Sequence, residues 1–225
     1  MIRSLPLELI FPATPNNLGG FYTAKGDLMG GMLTEQGRAW YRKSLAVLLH
    51  VREIDRARET KYWDLLAAHG KPLARSGYQK LYGNLGLTYT RLERSNEALE
   101  AYRYGRALNP AWAEYYDVVP PIYLAMGNSE GARIALVERT LVLPNTPDTI
   151  GALRALYGRV PGGSCAIDHL GDAPALNAAC PPVKNDLCLA SEDLTQAFLE
   201  ARQPDRASEI KSTAIQRYDC PARAS

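Results

Sequence analysis

The strongest hydrophobic periodicity runs from Tyr82 to Pro110, YGNLGLTYTRLERSNEALEAYRYGRALNP. Tyr82, Leu85, Gly86 and Tyr89 fall at helical spacing, a mostly polar stretch follows, and Ala98, Leu99, Tyr102 and Gly105 form a second stripe that stops at Pro110. This predicts two antiparallel helices. Gly86 and Ala98 are small where the pair must approach closely, the neighbouring aromatics and Leu85 fill the space around them, and Pro110 ends the second helix. The pattern returns about 34 residues later, at Tyr116, Val119, Tyr123, Ala132, Leu136 and Pro144. Pro120 stands where Gly86 stood and, with Pro121 beside it, is expected to kink or interrupt that helix. Asn128 and Ser129 supply a cap for the second helix, as Ser95 does in the preceding pair.

Elsewhere the pattern is worn. Leu18-Gly19-x2-Tyr22, followed by Gly26, repeats the first-helix stripe just short of two periods before Leu85. It predicts a divergent pair beginning near Pro12, with a second helix from about Leu28 whose start is weakened by Gly30 and Gly31. Trp40, Tyr41, Leu45, Leu48 and Leu49, then Tyr62, Leu65 and Leu66, are helically spaced. That span has room for one more degenerate pair before Gly70-Lys71-Pro72 breaks it. Ile150, Leu153 and Tyr157 predict a further first helix from Thr149 to Gly158. Val160 to Pro182 has no sustained period and reads as a loop insertion with one helical turn around Pro174 to Ala179. Leu194-x3-Phe198, Ala207 and Ala214 predict a last hairpin that turns at Gln203-Pro204 and ends at Pro221. The organisation expected is an extended lead-in over 1–15, helical repeats over 16–159 with the best units at 79–112 and 113–146, a cysteine-bearing loop over 160–182, and a capping hairpin over 183–221.

The set Tyr82-x2-Leu85-Gly86-x2-Tyr89, Ala98-x3-Tyr102 and Pro110 resembles the tetratricopeptide repeat family, with aromatics exchanged only for aromatics. The resemblance implies an all-α solenoid of antiparallel helix pairs that performs no chemistry and binds a peptide or protein along its concave face. First helices line that face in the family, which makes Lys80, Asn84, Leu87 and Arg91 the groove candidates in one unit, and Glu114 and Asp117 those in the next. Some members grip terminal carboxylates with Lys, Asn and Arg. Lys80, Asn84 and Arg91 resemble part of such a clamp, whereas Glu114 and Asp117 would repel a carboxylate. The order of repeat pair, cysteine-bearing loop and final hairpin also resembles the extracytoplasmic repeat regions that follow membrane-embedded glycosyltransferase cores in bacteria. That likeness implies targeting by a membrane part lying upstream.

All four cysteines, Cys165, Cys180, Cys188 and Cys220, lie in the last third, and an even number confined to a loop and a chain end suggests disulfides. In a hairpin turning at 203–204, Cys188 and Cys220 are about equally far from the turn and meet at its open end. By elimination Cys165 pairs with Cys180. Such bridges favour an oxidising compartment, the periplasm or cell surface, over the cytoplasmic alternative. With no C-x2-C spacing, no metal is expected.

Composition adds mainly exclusions. A hydrophobic fraction of 46% with 22% charged residues is that of a folded chain. A net charge of +2 gives no reason to expect nucleic acid or an anionic membrane as partner. No apolar run approaches the roughly 18 residues of a membrane span. The opening MIRSLPLELIFPATP lacks a signal-peptide core, so the chain is expected to be cytosolic or to be targeted by a segment upstream of it. Val51 to Lys61 alternates charge and reads as a solvated helix surface on which Glu53 or Asp55 pairs with neighbouring arginines. His50, His69 and His169 are scattered, and Asp168-His169 near Ser164 reads as a surface turn rather than part of a triad. The glycine pairs lack the Lys-Ser/Thr of a phosphate loop. No cofactor and no enzymatic activity are expected. The reading is a non-enzymatic, extracytoplasmic scaffold for a peptide or protein partner. Beside it stand an accessory domain of a membrane glycosyltransferase and a structural protein that self-associates end to end.

Overall fold

The computed structural model describes residues 13–68, 79–168 and 175–221, the side chains of 13–14 and 57–68 excepted. The long elements are all helices: α1 (Ala13–Leu28), α2 (Glu35–Ala68), α3 (Gln79–Arg91), α4 (Ser95–Leu108), α5 (Ala113–Ala125), α6 (Ser129–Val142), α7 (Pro147–Tyr157), α8 (Pro181–Glu200) and α9 (Pro204–Tyr218). The only strands among the described residues are β1 (Ile167–Asp168) and β2 (Ala175–Leu176), paired antiparallel. The fold is all-α. Its contacts divide the chain into two units, Met1–Gly105 and Arg106–Ser225.

In the first unit Gly30 and Gly31 do not weaken a helix start; they make the turn between α1 and α2. Both adopt positive φ, 89° and 59°, which glycine reaches at little steric cost. Thr34 then accepts a hydrogen bond from the Gly37 amide (2.9 Å), so the second helix begins at Glu35 rather than near Leu28. The expected extra helical pair before Ala68 is instead one helix of 34 residues. Its apolar stripe never breaks: Tyr41, Leu45, Leu48 and Val51 are all buried on one face. The same face carries Asp55 into the interior at 7% exposure, so this stretch is not simply a solvated surface. The lead-in before Ala13, the break at Gly70-Lys71-Pro72, and the side chains of Tyr62, Leu65 and Leu66 lie outside the described residues. Between α3 and α4, a Cβ on Gly86 would come within 2.6 Å of the Tyr102 ring. That contact is the reason for a glycine there, and it sets the spacing of the pair.

The second unit holds the hairpin α5–α6, then α7, then the hairpin α8–α9. Here α5 continues through Pro120 and Pro121 and is not interrupted. Each proline forfeits a helical donor, at roughly 3 kcal/mol or more in a helix interior. Burial of Tyr115, Tyr116, Val119, Ile122 and Tyr123 on the same helix offsets that loss, at about 1.5–3 kcal/mol for each large apolar side chain. Asn128 caps α6 as expected, accepting from the Gly131 amide at 2.8 Å. The expected first helix near Thr149 is α7, capped by Thr146 and opened by Pro147. No helical turn forms at 175–179. Ala175 and Leu176 are extended against Ile167 and Asp168, and the Asn177 amide bonds the Ala166 carbonyl at 2.8 Å. The ladder is held shut by Cys165–Cys180, and Cys188–Cys220 closes the open end of α8–α9, each with a Cα separation of 5.5 Å. Leu194, Phe198, Ala207 and Ile210 form the core of that hairpin, on which Leu141 and Val142 of α6 pack.

Candidate functional site

On α3, the residues nominated for a groove have different fates. Lys80 is exposed and Leu87 half-buried. Asn84 donates to the Asn16 side chain (3.0 Å) and carbonyl (3.3 Å) on α1. One turn on, Thr88 joins a buried knot of hydroxyls with Thr23 (2.8 Å) and Ser44 (3.1 Å), and Ser44 donates to the Gly19 carbonyl at 2.8 Å. Arg91 bonds Asp27 at 2.7 Å. The pairs Asn16–Asn84, Thr23–Thr88 and Asp27–Arg91 ascend both helices in the same direction, so α1 and α3 lie side by side and parallel. Two of the three residues resembling a carboxylate clamp, Asn84 and Arg91, are therefore spent joining helices. Asp27 also accepts from the Tyr41 hydroxyl at 2.5 Å; burial, reinforced by that bond, pushes the phenol up to about 12. The facing stripe was present in the sequence as Asn16, Thr23 and Asp27 on α1, though nothing local says which helix it meets.

In the second unit Glu114 and Asp117 are both exposed on α5, with Asp117 3.8 Å from the Arg139 guanidinium. Deeper groups escaped the sequence reading. Arg106, at the end of α4, bridges Glu138 of α6 (2.5 Å) and Asp193 of α8 (2.6 Å). Burial pushes the Glu138 carboxyl up to about 8, with the Arg106 charge opposing. Asp186 of α8, fully buried, is held by the Arg133 guanidinium of α6 and by the Tyr157 hydroxyl of α7 at 2.7 Å. Arginine or tyrosine donors satisfy these carboxylates, so what they do is tie helices together.

Of the histidines, His50 is exposed on α2, while His69 and His169 lie outside the described residues. Among the described residues no group of three or more His, Cys, Asp or Glu is arranged to hold a metal. No described helix is long and apolar enough to cross a membrane. No protein-family model matches the chain, and no curated protein matches it.

Proposed function

We propose that the chain is a non-enzymatic, tetratricopeptide-like interaction module that docks a peptide or protein on exposed first-helix positions. The observation that supports this most directly is the α3–α4 hairpin. Its glycine-to-tyrosine close approach at Gly86 and Tyr102 is the steric reason for the repeat pattern. The parallel first helices α1 and α3 are what successive repeats would produce. With Asn84 and Arg91 already engaged, the docking positions reduce to Lys80 and Leu87 in the first unit and to Glu114 and Asp117 in the second. Taken unit by unit, Lys80 and Leu87 suit an acidic or apolar segment, and Glu114 and Asp117 suit a basic one rather than a free carboxylate end. The two disulfides fit an oxidising compartment, where a periplasmic or cell-surface partner would be met.

The test is crosslinking and mass spectrometry of the partner captured by native chain, repeated with Lys80→Glu and with Glu114→Lys. A specific partner should be lost from at least one charge-reversed variant. Retention of the same partner by both would remove the first-helix faces from consideration. Peptide mapping of chain isolated without reductant from its source should recover Cys165–Cys180 and Cys188–Cys220. Free thiols there would place the protein in a reducing compartment.

A further inference from the structure

Helix α1 is built inside out. Its buried positions, Asn16, Gly19, Thr23 and Gly26, are small or polar, and a Cβ on Gly19 or Gly26 would strike Leu48 or Tyr41 of α2. Its solvent side carries Leu18, Phe21, Lys25 and Leu28, spaced three or four residues apart and so on one face. Phe21 is 60% exposed and Leu28 84%, and Leu33, in the 3-10 turn Gly31–Leu33 that follows, is 94% exposed. A surface helix ordinarily has the reverse arrangement. None of these three large side chains packs into the core, so the fold does not account for them.

The face continues onto α2 as a row of rings. Phe21 and Tyr22 have centroids 6.2 Å apart, and Tyr22 and Trp40 5.2 Å. The Lys25 and Lys43 ammonium groups stand over the Trp40 ring at 4.0 and 4.4 Å. Charge here is one-sided. Residues 13–43 hold four cations, Lys25, Arg38, Arg42 and Lys43, against the two carboxylates of Asp27 and Glu35, and so carry as much net charge as the whole chain, +2. Asp27 is bonded by Arg91, and Glu35 is shared by Arg38 and Arg42, which leaves no carboxylate of this segment to offset the two lysines.

We propose that this surface seats the first unit on an anionic lipid membrane. Phe21, Leu28 and Leu33 enter the boundary between headgroups and acyl chains, and Lys25 and Lys43 meet the lipid phosphates. Tyr22 and Trp40 then lie at headgroup level, where amphipathic rings are favoured. Charge complementarity selects negative lipid. Leucines exposed this fully form a ridge rather than a groove, and a fluid surface closes around a ridge. The rings are tilted by 53° and 42°, so they offer no flat platform for a sugar. The contact is peripheral and requires no spanning helix. It uses none of the first-helix docking positions, so it stands or falls independently of that role.

The experiment is flotation of the full chain, disulfides intact, with vesicles of phosphatidylcholine and of a two-to-one mixture of phosphatidylcholine and phosphatidylglycerol. Binding is expected on the mixed vesicles and should weaken with added salt. Lys25→Glu with Lys43→Glu should reduce the affinity at least about tenfold. Phe21→Ser with Leu28→Ser should reduce it about as much while leaving the Tm of the native chain unchanged. In bicelles of the mixed lipid, a spin-labelled lipid should broaden the methyl signals of Leu28 and Leu33. It should spare Leu124 and Leu199, which are 45% and 49% exposed in the second unit. Equal binding to phosphatidylcholine alone, undiminished affinity in either double variant, a Tm lowered by the Phe21 and Leu28 substitutions, equal broadening of Leu124 and Leu199, or no vesicle binding at all overturns the proposal. A native chain that sediments as a dimer, becomes monomeric on Phe21→Ser with Leu28→Ser and ignores the vesicles overturns it in favour of a second copy on this face.

Discussion

The two units are held together by different means. In the first, α1 and α3 meet through neutral amides and hydroxyls and one partly exposed ion pair, Asp27–Arg91, while α3 and α4 meet through a glycine. In the second, hydrogen bonds centred on arginines do that work: Arg133–Asp186–Tyr157 and Glu138–Arg106–Asp193 each tie three elements, and two disulfides close what the helices leave open. The contrast follows from regularity. Where hairpins repeat, small residues at fixed offsets bring backbones close and packing suffices. Where a loop and a longer hairpin replace the repeat, long-range fasteners supply the specificity.

The contrast can be broken most sharply at Asp186. Asp186→Ala strands Arg133 and the Tyr157 hydroxyl in the interior, and an expected loss of about 3–5 kcal/mol would appear in denaturant unfolding of the second unit. Hydrogen exchange in α1–α3 should be unchanged. Removing Cys188–Cys220 by a Ser/Ser double substitution should cost about 2–4 kcal/mol, with faster exchange confined to α8 and α9. Equal acceleration in the first unit would show that the division of labour is wrong.

In the first unit the most damaging small change is Gly86→Ala, which drives a methyl into the Tyr102 ring and should cost about 1–3 kcal/mol. A neutral result in thermal unfolding would remove the steric account of the repeat pattern. The second unit should also show a pH dependence set by Glu138. Glu138 holds its proton up to about pH 8 when folded, against 4.5 for its ordinary value. The folded chain therefore binds the extra proton, the contribution is complete below the ordinary value, and stability falls as pH rises toward about 8. Glu138→Gln should flatten that part of the Tm profile by a few degrees, and a slope identical to that of the native chain would show that Glu138 titrates normally. The smallest effect is expected from Arg91→Ala, whose ion pair is about 40% exposed on both sides and contributes roughly 0.2–1 kcal/mol. That loss should shrink further in high salt.

The sequence by itself determined the all-α class, the α3–α4 and α5–α6 hairpins, the terminal hairpin and both cysteine pairs. These are set by contacts between near neighbours: a stripe every three or four residues, a cap, a proline, and a turn that brings equally distant cysteines together. Tertiary structure alone decided the rest. Whether Gly30-Gly31 opens a helix or turns the chain depends on Tyr41, Leu45 and Leu48 continuing one buried stripe beyond it. Whether Pro120 breaks α5 depends on how much that helix buries. Asn84 and Arg91 look the same in sequence whether they face solvent or α1, and nothing local marks Asp186 as the partner of Arg133 and Tyr157. Periodicity fixes which face of a helix is buried, but the partner of a polar side chain is chosen by whichever distant element packing brings against it.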